Sequence, residues 1–441
     1  MSLFAFDFSD YLDKDKNPHW EKIRQAFSLN PKTSFFDTLL LTSHPRWIKE
    51  SIRYYGDHLD RDPGGYWENH FVPLLDAVSD AASRYLLCDK SEIGFTSSAT
   101  VTMGVLFGGL DLEADSEIIF TDQAHYSQYE AIRYSCAKKG YKAKKIALYK
   151  DSQHATADEI LENLKAQISG KTRVIALTWL QSGTGVKLPA KKISKWVESE
   201  NKKRSKKERI FIVLDGVHGF GIEKDSVKDL GVDAFMTSCH KWLFGPRGTG
   251  LFYMSKEFAR HIRPIIAPYV PKILVDWKNG SHTPLEREAY QLSPGGFLAF
   301  EYLWSLKSAF DFHLTIGREK IAKRSKHFAS EIKKALLDMP HIRSYTPLDE
   351  ELSSGVVCFD IEGFAPGQVV EILRYHGFAA TQTPYAKVTS RLTPSILNTQ
   401  NEVLQVIEAI RNFSSLAESY DRNGGRAEKF FRKEGFYLSG S

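Results

Sequence analysis

Two strand-like runs each lead to a residue able to do chemistry. Val232-Asp233-Ala234-Phe235-Met236-Thr237 reads as a short buried strand. It runs into Ser238-Cys239-His240-Lys241-Trp242-Leu243-Phe244 and then the glycine-rich turn Gly245-Pro246-Arg247-Gly248-Thr249-Gly250. Upstream, Phe211-Ile212-Val213-Leu214 ends on Asp215, followed by Gly216-Val217-His218-Gly219. A lysine amine can bond covalently to a carbonyl carbon and can carry protons, and an aspartate can hold a cation by a charge-assisted hydrogen bond. Alone, each has an ordinary reading, because most lysines are solvated charges and aspartates commonly cap strand-to-loop turns. The pairing of two such strand ends is what singles out Lys241 and Asp215.

A third segment, Phe95-Thr96-Ser97-Ser98-Ala99-Thr100-Val101-Thr102-Met103-Gly104, combines a strand end, small polar residues and a helical pattern. Backbone N–H groups at such a helix start suit a phosphate, although a plain N-cap at Ser98 has the same local geometry. Between about Ser91 and Met254, β-rich runs such as Glu117-Ile118-Ile119-Phe120 and Arg173-Val174-Ile175-Ala176-Leu177-Thr178 alternate with helical patterns. That alternation predicts an α/β fold with a mostly parallel sheet wrapped by helices. Such sheets take ligands at the carboxyl ends of their strands, where Ser98, Gln181, Asp215 and Lys241 all emerge.

Further along, Leu303, Leu306, Phe310 and Leu314 share one apolar face and suggest a long connecting helix. Gly355-Val356-Val357-Cys358-Phe359-Asp360-Ile361, with helices near Gln368–Tyr375 and Glu402–Phe413, makes a smaller α/β unit. The expected organisation is an N-terminal segment over 1–40 that packs with the small domain, and a large domain over 41–296. A connecting helix over 297–339, a small C-terminal domain over 340–420 and a mobile polar tail over 421–441 complete it.

The Asp215 strand end and the Ser238-Cys239-His240-Lys241 segment resemble the class V aminotransferase superfamily, pyridoxal-phosphate enzymes of fold type I. The stretch Asp60-Arg61-Asp62-Pro63-Gly64-Gly65-Tyr66-Trp67, together with Asp215 to Gly221, looks most like the isopenicillin-N-epimerase-like branch. The resemblance covers roughly Ser34–Phe413. It implies a seven-stranded-type sheet, Lys241 as the Schiff-base lysine and Asp215 as the partner of the pyridine nitrogen. It implies that Ser98, Ala99, Thr100, Ser238 and His240 serve the phosphate, with Ser98 standing where asparagine is frequent. His125, from Asp122-Gln123-Ala124-His125-Tyr126-Ser127, falls on the ring-stacking position. His218 stands where many relatives carry glutamine near the phenolic oxygen, and Gln181 lines the same pocket. Arg391, in Ser390-Arg391-Leu392-Thr393, matches the arginine that grips the substrate carboxylate.

Two departures from the family matter. Ser293-Pro294-Gly295-Gly296 lacks the threonine with which relatives reach the phosphate of a neighbouring subunit, so that contact would be made by the backbone of Gly295 and Gly296 alone or be lost. The loop Phe378-Ala379-Ala380-Thr381-Gln382-Thr383-Pro384-Tyr385-Ala386-Lys387 has no cysteine, which disfavours the persulfide chemistry of cysteine desulfurases.

Composition excludes other classes. The 441-residue chain balances 59 basic against 54 acidic residues, a net charge of +5, which implies no nucleic-acid face. The basic run from Asn201 to Glu208 reads as a solvated loop. Cys88, Cys136, Cys239 and Cys358 show no metal-ligand spacing, which suggests reduced thiols in the cytoplasm and no metal site. The first ten residues do not read as a signal peptide, and no apolar run approaches membrane-spanning length.

The expected protein is a homodimeric enzyme that binds pyridoxal 5'-phosphate and forms an external aldimine with a small amino-acid-type substrate. Lys241 removes the alpha proton, with epimerisation or carbon-sulfur lyase-type β-elimination following; transamination is the alternative. Tyr126 and Tyr385 are candidates for a proton donor on the opposite face. Competing classes are a nucleotide-binding α/β enzyme that uses the Gly245–Gly250 turn, and a noncatalytic sensor built on the same fold.

Overall fold

The computed structural model describes residues 3–281 and 287–422. After a short strand, β1 (Ser34–Phe35), seven strands build the central sheet. They are β2 (Ile93–Thr96), β3 (Glu117–Thr121), β4 (Lys142–Ile146), β5 (Thr172–Thr178), β6 (Phe211–Asp215), β7 (Ala234–Ser238) and β8 (Gly250–Met254). Their order is β2-β8-β7-β6-β5-β3-β4, with β8 antiparallel to both neighbours and the other pairs parallel. The mostly parallel seven-stranded expectation holds.

The sheet is held between two apolar layers fed by alternate residues of the same strands. Ile118, Phe120, Val174, Ala176, Phe211 and Val213 pack with Met103, Phe107 and Ile132 on one face. Ile119, Ile175, Leu177, Ile212 and Leu214 pack with Val78, Ile193, Val197 and Phe310 on the other. Strands covered on both faces read as nearly continuous apolar runs, and β5, β6 and β7, buried along their whole length, are apolar in their middles with polar residues at their ends. The edge strand β4 instead carries Lys142, Lys144 and Lys145, charges that oppose pairing with a further chain.

The connecting helix over 297–339 is two helices, Phe300–Ile316 and Arg318–Leu337. Gly317, at φ +94, donates its N–H to the His313 carbonyl and turns the chain between them. The apolar face runs on through both helices, so periodicity alone hides the break. The second helix reaches the small domain, where β9 (Ile342–Ser344), β10 (Val357–Ile361), β11 (Phe378–Ala379), β12 (Thr381–Gln382) and β13 (Ser390–Leu392) follow. Four of these form an antiparallel sheet in the order β12-β13-β10-β9, and β11 pairs with β1.

The N-terminal segment therefore joins two bodies rather than the small domain alone. Phe8 and Tyr11 pack edge-on against Trp47, which stacks on Phe312 with ring centroids 4.4 Å apart in the large core. Phe36, just beyond β1, is buried in the small-domain core, and Arg24 pairs with Glu402 at 2.7 Å. The helix Phe413–Arg422 closes the described chain, so nearly all of the expected tail lies outside the described residues.

Candidate active site

The carboxyl ends of β5, β6 and β7 meet in register, with Asp215 opposite Thr178 on one side and Met236 on the other. Asp215 is buried, and its carboxylate accepts the Val217 N–H at 3.0 Å. Burial pushes its pKa up to about 6, against the opposing pull of that N–H and of the Lys241 cation. A buried carboxylate with one neutral hydrogen-bond donor is a ready partner for a cationic N–H.

Lys241 follows β7 in a turn closed by three backbone bonds. Cys239 N–H donates to Thr249 O at 3.0 Å, Phe244 N–H to Lys241 O at 2.9 Å and Gly245 N–H to Cys239 O at 2.8 Å. Phe244 is fully buried yet sits at φ +57, a left-handed conformation costly for a bulky residue, so packing here overrides backbone preference. Thr42 reaches in from the loop before the helix Arg46–Arg61 and donates to the carbonyls of His240 and Lys241 at 2.8 and 3.2 Å. Nothing in the sequence pattern points to Thr42. Burial, helped by Arg391 and opposed by Asp215, pulls the Lys241 pKa down to about 7. The amine is thereby poised near neutrality.

Beside this pair, the helix Ala99–Gly109 begins with Ser98 as its N-cap, whose hydroxyl accepts the Val101 N–H at 3.2 Å. Ser238 Oγ accepts the Ala99 N–H at 3.0 Å and so ties the end of β7 to the helix start. The side chains of Ser98 and Ser238 are thus engaged in holding the turn, and Thr100 is exposed at its mouth. His125 caps the helix Tyr126–Lys139, with Nδ1 2.8 Å from Ser127 Oγ. Burial and then the Lys241 charge pull His125 down to about 4, and His240 likewise falls to about 4 through burial, Lys241 and Arg247. His218 is pushed well below its ordinary range by burial, then by Lys241, Arg391 and His125. These imidazoles are neutral at pH 7.

The small domain contributes Arg391 from β13. Its Nε donates to Thr381 Oγ1 at 3.0 Å and its Nη1 to the Ser182 carbonyl at 2.8 Å, in the loop after β5. Gln181, in the same loop, is buried and accepts at Oε1 from Tyr149 and Thr184. Ser182 and Thr184 stand in the strand and turn that the sequence marks as lining the pocket, from which Gln181 alone is singled out, whereas Tyr149 comes from a separate loop with no spacing signature. Gly295 and Gly296 are not brought to this cluster within one chain: Gly295 N–H bonds Ala267 O at 2.9 Å, and Gly296 is exposed. The Gly245–Gly250 turn leads into β8, so no helix N-terminus stands behind it as a nucleotide site requires.

The residues present fit a polar, anionic, ring-bearing cofactor. Gln181 Nε2, His218 Nδ1 and His240 Nδ1 are buried polar atoms with no partner among the described residues. Each such atom left unpaired costs about 1–3 kcal/mol, so the cluster is more stable with a ligand that engages them. Among the described residues no group of three His, Cys, Asp or Glu side chains is placed to hold a metal, and no helix is long and apolar enough to cross a membrane.

This fold and this strand-end pair define a known class, and the aminotransferase class-V family model matches residues 79–383. The chain belongs to that family, the pyridoxal-phosphate superfamily its Asp215 and Lys241 segments resemble. Among curated proteins it is similar to isopenicillin N epimerase of Streptomyces clavuligerus, at 22% identity over 408 residues, covering 89% of this chain and 97% of that one. It is also similar to a probable cysteine desulfurase of Pyrococcus abyssi, at 23% identity over 365 residues, covering 81% and 85%. Among solved structures, a mutant of C-DES with glycine covalently linked to its pyridoxal-phosphate cofactor superposes with a TM-score of 0.77 at 18% identity, over 88% of this chain and 99% of that one. The cystine C-S lyase C-DES in complex with cysteine persulfide gives a TM-score of 0.75 at 18% identity, over 87% and 98%.

Proposed function

We propose that the protein is a pyridoxal-phosphate enzyme that acts on an amino acid or amino-acid derivative by removing its alpha proton, with an epimerase-like or carbon-sulfur lyase-like outcome. The observation that carries this reading is the convergence of Asp215 and Lys241 at neighbouring strand ends, with pKa values of about 6 and 7. When bound, the cofactor supplies a protonated ring that takes up the electron pair of a bond broken beside the substrate nitrogen. Lys241 would hold it covalently, and Asp215 would face its ring nitrogen. The start of the helix Ala99–Gly109, with Ser98, Ala99, Thr100, Ser238 and His240, would hold the phosphate. His125 would cover the ring face, while His218 and Gln181 would meet its phenolic side.

Within that arrangement, Lys241 Nζ is the group that takes the alpha proton, because a base with a pKa near the working pH is effective. Arg391 binds the substrate carboxylate, its fork oriented by Thr381 and Ser182. Arg391→Lys is expected to raise KM for amino-acid substrates roughly tenfold or more with a smaller change in kcat, since one bidentate charged contact becomes a point contact. Steady-state kinetics on a panel of cysteine conjugates and other amino acids checks this. An unchanged KM would remove Arg391 from the carboxylate site.

The test of the whole reading is borohydride reduction of the yellow holoprotein followed by peptide mass mapping. An adduct on Lys241 supports it. A colourless protein that stays unmodified after pyridoxal phosphate is added refutes it.

The homodimer implied by the family finds support in a contiguous exposed aromatic surface. Trp67 touches Tyr269 and Phe297, with Phe297 78% exposed, and Gly295 bonds the same segment at Ala267. Sedimentation should give twice the chain mass, and Phe297→Glu should shift the protein towards monomer; a monomeric wild type would overturn the dimer. Four unpaired cysteines suit the reducing cytoplasm.

A further inference from the structure

The two tyrosines singled out as possible proton donors prove very different. Tyr126 is 68% exposed at the start of its helix. Tyr385 is half-buried at the tip of the β12–β13 connection, and its hydroxyl lies 2.8 Å from Ser182 Oγ. That tip has a fixed base: Thr383 N–H donates to Thr389 O at 3.0 Å, and Thr389 N–H to Thr383 Oγ1 at 2.9 Å. Its landing place is also shaped, because a Cβ on Gly183 would lie 2.9 Å from the Tyr385 ring and 3.0 Å from Gln123 Oε1. The residue that receives the Tyr385 hydroxyl is the one whose carbonyl receives Arg391 Nη1. Burial holds the phenol above its ordinary pKa, with Ser182 and Arg391 opposing and with Asp215 and Cys358 adding to the rise. At pH 7 the group is a neutral O–H donor.

We propose that Tyr385 is the second proton-transfer group of this site, giving its phenolic proton to the substrate from the small-domain side while Lys241 works from the large-domain side. This rests on the reading given under Proposed function. In the step, Lys241 Nζ takes the alpha proton and becomes an ammonium. In epimerisation the pair left at the alpha carbon takes up the proton released as the Tyr385 O–H bond breaks; in elimination that pair forms the double bond between the alpha and beta carbons, the bond from the beta carbon to the heteroatom breaks, and the heteroatom leaves with that bond's pair and the Tyr385 proton. The electron pair of the O–H bond stays on the phenolate oxygen, held by the Ser182 hydroxyl and the Arg391 charge until solvent returns a proton.

The test compares Y385F, S182A and Y126F with the wild type. Y385F is expected to lower kcat about 10²–10⁴-fold, the usual range for one acid-base group, while S182A, which keeps the phenol, loses tenfold or less and Y126F is unchanged. Two further readouts separate chemistry from packing. Binding of pyridoxal phosphate to Y385F apoprotein, followed by fluorescence, should stay within about threefold of wild type. Exchange of the substrate alpha hydrogen for deuterium, driven by Lys241, should persist in Y385F although product no longer forms. Wild-type kcat in Y385F, equal losses in Y385F and S182A, weakened cofactor binding or lost exchange would each overturn the proposal. Absence of a Lys241 adduct in the wild type would overturn the underlying reading, and this one with it.

Discussion

Replacing Lys241 by alanine is expected to reduce turnover by at least about 10³-fold while leaving pyridoxal phosphate able to bind without a covalent bond. The phosphate and ring contacts come from other elements, so affinity should fall far less than activity. Absorbance and borohydride labelling of the variant check this: bound cofactor, no adduct and no turnover. Full activity in Lys241→Ala would sink the assignment. The same amine makes a pH prediction on the wild-type apoprotein. Only the neutral amine attacks a carbonyl, and burial together with Arg391 brings the pKa from 10.5 down to about 7. Covalent capture should therefore rise through about pH 7 and level off above it. At pH 7 the neutral fraction exceeds that of an ordinary lysine roughly a thousandfold. Asp215 opposes the shift, so Asp215→Asn should move the midpoint lower; a midpoint near 10 would show that Lys241 is a solvated amine.

Glu223→Ala should destabilise the protein by about 3 kcal/mol, the largest stability loss we expect from a single polar substitution. Glu223 is wholly buried and accepts from Lys187 at 3.1 Å and Lys326 at 2.9 Å, and Ser354 bonds its other oxygen. These partners come from the loop after β5, the helix Arg318–Leu337 and the small domain just before β10, so one carboxylate ties three parts of the fold together. Its removal leaves Lys187 with no acidic partner among the described residues and Lys326 with only the pull of Asp225, both largely buried, which costs far more than the loss of a surface pair. Glu223→Gln keeps an acceptor for Ser354 and should lose less. Urea unfolding of the apoproteins measures both, and a loss below about 1 kcal/mol for Glu223→Ala would show that water compensates the lysines.

Much of this site is legible along the chain because its chemistry sits where a strand ends. β6 and β7 are short apolar runs, and a polar residue directly after such a run in a parallel sheet has one place to go, the carboxyl edge. Asp215, Lys241 and the Ser98 helix start follow from that rule, while the sharper roles assigned to them came from resemblance to the family. The edge strand β4 escaped because Lys142-Ala143-Lys144-Lys145 has no apolar signature, its charges being there to guard the edge. The break at Gly317 escaped because the apolar face continues on both sides of it.

Composition and periodicity by themselves determined an α/β chain with a central parallel sheet, and local order determined which residues stand at its carboxyl edge. Those are properties of neighbours in sequence, and neighbours carry them wherever the chain goes. Only the tertiary structure decided that Thr42 holds the Lys241 turn and that Ser182 receives both Tyr385 and Arg391. It also decided that Gly295 and Gly296 lie away from the single-chain cluster and that Tyr385 rather than Tyr126 is drawn inward. The pKa values of about 7 for Lys241 and about 6 for Asp215 belong to the same group, since desolvation depends on everything packed around a charge. Contacts between residues some two hundred positions apart are set by how the two domains close on each other, and no local pattern records that.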